Sequence, residues 1–432
     1  MKNLKKIVLS LTVIALVFTS FQIPLGQTKT KAYYSGDAIN YNNQIVVAST
    51  DSGYLELFRL EGKELNRIAR FKPLNSKFGT EDEFYTVMLK QEMGRLYAYA
   101  SSGHELYKYN VTDPKNIILA DKLKDNSMDW FGGLEVSNGY LITKGSKNLK
   151  LWNKDMQVVD AFNVVNQTNP YNITLGDDYK YIFNIANDNV EIFDRQSRSV
   201  IKQIAMTSNN NKGNIKIYND SSEGMFYVPD GKQLKKYNYL GYLHKSMDHE
   251  SNFGYDVVPA TDGKHIYFSN GSSIKKLDKI DLNLVSEYKN RTDLGYWSMG
   301  MKAVNDGQGE KVVVFNNNSI TIFDSNLNII TYVKATEKDT KPIVTEGLFL
   351  SLSQKSAVPL EDLTVYGGGF ASNEPIQITL NKQRVIGYAD QNGRFAKQFT
   401  ISPMEAGRTD IKAVGQNSGQ HYSISFEVKE LK

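Results

Sequence analysis

The stretch 188-DNVEIFD-194 has a close relative, 318-NSITIFD-324, and the two begin 130 residues apart. From Val190 and from Ile320 both read apolar, any residue, apolar, aromatic, Asp. Loosened to admit Leu and other polar endings, the pattern recurs as 55-LELFR-59, 106-LYKYN-110, 149-LKLWN-153, 234-LKKYN-238 and 274-IKKLD-278. Along the chain the seven copies are spaced by 51, 43, 41, 44, 40 and 46 residues. A nearly fixed period of this size is the mark of a repeat architecture.

Other columns keep the same period. A turn and a short β-rich run stand upstream of the copies. They are Asn43 before QIVVAST, Gly94 before RLYAYAS, Asn138-Gly139 before YLITKG and Asp177-Asp178 before YKYIFNIA. Glu223-Gly224 before MFYVPD, Asp262-Gly263 before KHIYFSN and Gly309 before EKVVVFN complete the column. A run precedes each turn (DAINYN, YTVMLK, GLEV, NITL, IKIY, YDVVP, GMKAV), and another follows each copy, such as ELNRIARF and SVIKQIAM. Each unit thus holds four short strands, and four strands per 40–45 residues define a propeller blade. The expectation is an all-β chain with a seven-bladed β-propeller over residues 33–335. An array of β-sandwiches would need units of roughly 100 residues. Phe193, Phe323 and Trp152 are expected to pack between blades, and Asp194 and Asp324 to open the turns that follow their strands.

Residues 1–32 read as a cleaved export signal: Lys2, Lys5 and Lys6, an apolar run from Ile7 to Phe18, then Thr30-Lys31-Ala32 before Tyr33. The run is too short to span a bilayer comfortably, so no membrane span is expected in the mature chain. The segment carries five Lys and no acid, so the formal charge of +4 falls to −1 without it. A near-neutral chain gives no support for nucleic acid as partner. The absence of Cys excludes disulfides, zinc thiolates, a thiol nucleophile and a lipoprotein anchor. Together these features fit a Gram-positive secreted or cell-surface protein.

The segment 260-ATDGKHIYFSNGSSIKKLDKIDLNLV-285 resembles a blade of the bacterial YVTN and quinoprotein-like propellers, in which an Asp-Gly-Lys turn precedes a Tyr-containing strand. That resemblance implies the fold and leaves function open, since such propellers host enzymes, binders and scaffolds. After Ala335 the period stops, and 336-TEKDTKPIVT-345 reads as a linker. Residues 346–432 alternate in the manner of strands around Gly, Asn and Pro turns. Val365, Gly367, Gly369, Phe370, Glu374, Pro375, Ile376 and Ile378, then Ala389, Asp390, Gly393 and Phe395, resemble the small immunoglobulin-like β-sandwich domains of bacterial exported proteins. The resemblance implies a spacer or adhesive module without catalysis.

The five histidines form no close ligand pair, so no metal site is expected. No nucleophile elbow, phosphate loop or cofactor motif occurs, and no cofactor is expected. In propellers the loops leading into the inner strands lie on the usual ligand face. Here they carry Phe84, Tyr85, Asp129, Trp130, Tyr171, Tyr255, Asp256 and Trp297. The turns expected beside them (STDSG, SSGH, KGSKN, ANDN, SNGSS, NNNS) are rich in amides and hydroxyls. Rings that cover C–H surface, set among such groups, suit a glycan ligand; packing between blades and ordinary turn chemistry account for the same residues. The reading is a non-catalytic binding or structural protein recognising a glycan or a surface protein. The alternatives are a carbohydrate-active enzyme using Asp129, Asp256 or Glu135, and a quinoprotein-type oxidoreductase.

Overall fold

The computed structural model describes residues 33–430 except 52, 73–82, 103–104, 115–116, 125–132, 138–139, 146–147, 164–179, 187–188, 208–214, 296–297, 336–348 and 392. All regular structure among these residues is β, and they contain no helix able to cross a membrane. From Tyr33 to Lys334 the strands form seven consecutive antiparallel sheets, six with four strands in chain order. The fourth sheet shows three, Tyr181–Ala186, Asn189–Asp194 and Ser199–Ala205. Its expected inner strand, 172-NITL-175, lies outside the described residues. Repeated four-stranded sheets of this kind are the construction of a β-propeller.

The recurring motif is the third strand of each sheet, and its alternation explains the packing. Val190 and Ile192 face the fifth sheet with Phe226 and Val228, whereas Phe193 points back to Ile142, Leu149 and Leu151 of the third. In the seventh sheet Ile320 and Ile322 meet Val47 and Phe58 of the first, and Phe323 meets Tyr267 of the sixth. Trp152 likewise packs back on Tyr99 and Leu106, its Nε1–H donating to Thr143 Oγ1 at 2.7 Å. Period-two side chains thus feed two seams from one strand. In all seven sheets the pairing of third and fourth strands shifts register at this aromatic-column residue, a bulge that increases local twist.

The polar residue that closes the motif caps the next turn. Asp194 Oδ1 accepts from the amides of Gln196 (2.8 Å) and Ser197 (3.0 Å), and Asp324 Oδ1 from those of Asn326 and Asn328 (both 2.9 Å). Asn153, Asn238 and Asp278 repeat the arrangement. A side-chain oxygen that satisfies turn amides is the reason Asp and Asn occupy this column. On the same side, Tyr–Lys pairs latch a sheet to the next one's turn. Tyr227 Oη and Lys236 Nζ donate to Lys279 O (2.9 and 3.1 Å), and Tyr267 Oη and Lys276 Nζ to Ser325 O (both 3.1 Å).

The ring closes between the seventh sheet and the first without a shared strand, because each sheet is built from its own consecutive strands. Tyr33, Val47 and Phe58 join Val313, Phe315 and Ile320 in one cluster across this seam, and Asn40 Nδ2 donates to Asn305 O at 2.8 Å. Gly36 makes the approach possible: a Cβ there would lie 2.1 Å from the Phe315 ring.

Beyond the seven sheets, a three-stranded sheet (Phe349–Leu352, Asp362–Gly368, Phe395–Thr400) faces a five-stranded one. They enclose a core that includes Val365, Ile376, Ile378, Phe395, Ile411 and Phe426. Gly367 leaves room for the Phe395 ring, 2.3 Å from where its Cβ would stand. The buried Glu374 carboxylate accepts from the amides of Ala371, Asn417 and Ser418 at 2.6–3.0 Å, which holds it below the usual carboxylate range despite desolvation.

Gly36→Ala tests the closure. The added methyl must displace Phe315 or the strand, and overpacking of this kind costs about 1–3 kcal/mol. Urea denaturation should show a lower midpoint with an unchanged slope.

Candidate functional site: the loop face and the channel mouth

The loops leading into the inner strands and the turns between second and third strands share one face. The Phe84 amide donates to Gly53 O (2.9 Å), the Gly271 amide to Phe253 O (3.2 Å), and Ser319 Oγ to Leu294 O (2.7 Å). Both loop classes singled out in the sequence therefore meet between the first and second sheets, within the sixth and within the seventh.

Asp129, Trp130, Tyr171 and Trp297 lie outside the described residues, as does the side chain of Glu135. Phe84 is buried edge-on against Phe71, Tyr107 and Tyr109, with ring centroids 5.5–6.0 Å apart, so its ring serves the core. Tyr85 beside it is half-buried, its amide bonded to Ser101 O at 2.8 Å. Tyr255 is buried, and its carbonyl accepts from the Lys216 amide at 2.8 Å.

Asp256 is only 1% exposed. Its Oδ2 accepts from the Met301 amide at 2.7 Å and lies 3.6 Å from Lys216 Nζ. Asp37, which sequence reasoning missed, repeats this geometry in the first sheet. Its Oδ2 accepts from the Leu89 amide (2.9 Å) and its Oδ1 lies 3.5 Å from Lys302 Nζ. Each carboxylate joins its own inner strand to the amide of the following sheet and a lysine of the preceding one. A carboxylate held by an amide and an ammonium is engaged in holding strands together, a different task from proton transfer. An acidic residue within an inner strand, after Gly36 and after Gly254-Tyr255, is the signal that marks both.

A second polar layer lies at the loop-side ends of the middle strands. Glu56 and Arg70, both fully buried, pair at 2.7 Å, with Arg67 at 3.3 Å. Burial of Glu56 raises its carboxyl above the ordinary value, although both arginines oppose the shift. Lys235 pairs with Asp230 at 2.6 Å. Lys144 is fully buried, and its Nζ donates to Ile185 O of the fourth sheet at 2.8 Å. Desolvation pulls its amine down to about 7, opposed by the charge of Glu191.

No protein-family model matches the chain, and no curated protein matches it. Solved structures do. The extracellular domain of BT4673 from B. thetaiotaomicron aligns at a TM-score of 0.50 and 12% identity, over 94% of this chain and 58% of that one. The C-terminal WD40 domain of Sif2 aligns at 0.48 and 12%, over 87% of this chain and 97% of that one. At such identities the likeness concerns fold alone; the β-propeller construction rests on the repeated four-stranded sheets themselves.

Lys144 supplies a pH test. A folded-state amine near 7 against an ordinary value of 10.5 binds fewer protons than the unfolded chain between these limits, so stability rises with pH across that window. From pH 7 to pH 9 the wild type should gain on the order of 2 kcal/mol relative to Lys144→Met, whose stability lacks this linkage. Paired denaturation curves at the two pH values measure it.

Proposed function

We propose that this is an exported, non-catalytic binding protein, in which a seven-bladed propeller presents its loop face to an extracellular or cell-wall glycan. The immunoglobulin-like sandwich follows as an accessory module. The observation that carries the reading is the meeting of the two loop classes on one face of a ring closed by its own packing. A closed ring holds loop side chains in place, and preorganisation of this kind reduces the entropy lost on binding. Phe84 and Tyr255 are buried, so the reading rests on Trp130, Tyr171 and Trp297, whose sequence neighbours supply the amides and hydroxyls that a polyhydroxylated ligand needs beside a ring. Of the carboxylates the hydrolase alternative would use, Asp256 is engaged with the Met301 amide and Lys216, and Asp129 and the Glu135 side chain lie outside the described residues. Export rests on the basic and apolar character of residues 1–18.

Trp130→Ala and Trp297→Ala, probed on an array of neutral and acidic oligosaccharides, should each weaken binding about tenfold or more. Stability should move by no more than about 0.5 kcal/mol if the rings are exposed. Collapse of both variants together with a blank array for the wild type would sink the reading and assign the two rings to packing.

A further inference from the structure

The C-terminal sandwich is seated on the propeller. Its first strand, Phe349–Leu352, lies against the outermost strand of the second sheet, Ile118–Lys124. Phe349 is 3% exposed and belongs to the cluster formed by the first and second sheets, together with Phe71, Phe84, Tyr107 and Tyr109. Lys122 Nζ sits between two rings, 4.8 Å from Tyr107 and 4.1 Å from Tyr366 of the sandwich, while it pairs with Glu105 at 2.7 Å. Lys355 pairs with Asp121 at 2.9 Å. The Arg394 guanidinium donates to Lys72 O, at the end of the first sheet's outer strand. The cavity left among Tyr107, Tyr109, Lys122, Phe349, Tyr366 and Arg394 is ≈ 10 Å³. A gap of this size has room for about one water, and around it the two surfaces are in direct contact.

We propose that the sandwich is a brace for the propeller, clamping the seam between the first and second sheets and thereby fixing the Phe84–Tyr85 approach to the loop face. The contacts span both sheets, Lys72 in one and Asp121, Lys122 and Tyr107 in the other. The aromatic block provides the mechanical connection. Phe349 joins a cluster in which Tyr107 and Tyr109 stack at 5.9 Å, and Phe84 stands edge-on to both at 5.5 and 6.0 Å. Phe84 is in turn the residue whose amide ties this loop to Gly53 in the first sheet. Rings in direct contact pass a displacement from one to the next. A freely tethered spacer would have no buried residue within the propeller core, and Phe349 is such a residue. Any effect on a ligand rests on the loop-face reading above; the brace itself does not.

Hydrogen exchange of the full chain without ligand separates the two. In Phe349→Ala, amides of residues 84–89, 105–110 and 118–124 should exchange at least tenfold faster than in the wild type, with residues 265–278 unchanged. Ile376→Asp, which disrupts the sandwich from within its own core, should loosen the same propeller segments. Should Phe349→Ala fail to fold, the doubly substituted Arg394→Ala, Lys355→Ala chain removes the contacts at Lys72 and Asp121 and should give the same pattern. Unaltered protection of the three segments, while residues 407–428 of Ile376→Asp lose theirs, would overturn the brace.

Discussion

Everything in the ring depends on one constraint: the third strand of each sheet directs side chains into both adjacent seams. Val190 and Ile192 need the fifth sheet, and Phe193 needs the third. A four-stranded sheet with two apolar faces has no stable existence alone, so each unit requires a neighbour on either side. A linear array would leave two such faces in water, and closure removes both. Seven clusters, one per seam, run round the described ring, including the one that joins last sheet to first. Closure through Gly36 and Phe315 is therefore side-chain packing doing what a shared strand does in other rings.

Apolar seams alone would tolerate sliding of one sheet against the next, because the hydrophobic effect is non-directional. The buried polar groups supply direction. The Tyr–Lys latches at Lys279 O and Ser325 O fix the height of one sheet against the turn of the next. On the inner strands Asp37 and Asp256 each fix three sheets through an amide and an ammonium. Buried charges are poor sources of net stability, since desolvation offsets their attraction. Their geometry here defines register.

The period of the fold was legible because alternation and turn chemistry are local. The motif from Val190 and its copy from Ile320 display inward residues, aromatic and capping Asp in consecutive positions, and each has the role that local chemistry predicts. What escaped was non-local. Asp37 is one acidic residue in an inner strand, and only the juxtaposition of Leu89 and Lys302 gives it a task. Phe84 and Tyr85 are adjacent aromatics, and nothing in the pair announces that one is core and the other half-exposed. The docking of the sandwich depends on Phe349 and Lys122, over 200 residues apart, meeting across a surface that neither stretch describes by itself. Phe349, near the start of the segment expected to serve as a spacer, is buried in the cluster of the first and second sheets.

The division of labour that results confines where recognition can reside. The inner strands of the first and sixth sheets hold their neighbours through a carboxylate, middle strands fill the seams, and the second sheet's outer strand carries the sandwich. Side chains so engaged cannot be altered without disturbing the frame, and turn residues such as Met156, Leu282 and Leu327 belong to it, whereas exposed turn positions such as Gly62, Gly224 and Gly263 have open space around them. Specificity that resides in such loops can change while the frame is kept, which is the usual arrangement for binding sites on rigid scaffolds. Phe84 and Tyr85 mark the boundary between the two: one ring inside the frame and touching the cluster that seats the sandwich, the next at the edge of the loop face. On the proposed brace, a displacement of the sandwich reaches Tyr85 by way of the single peptide unit that follows Phe84, so the seam of the first and second sheets is where the proposed loop-face site meets the frame.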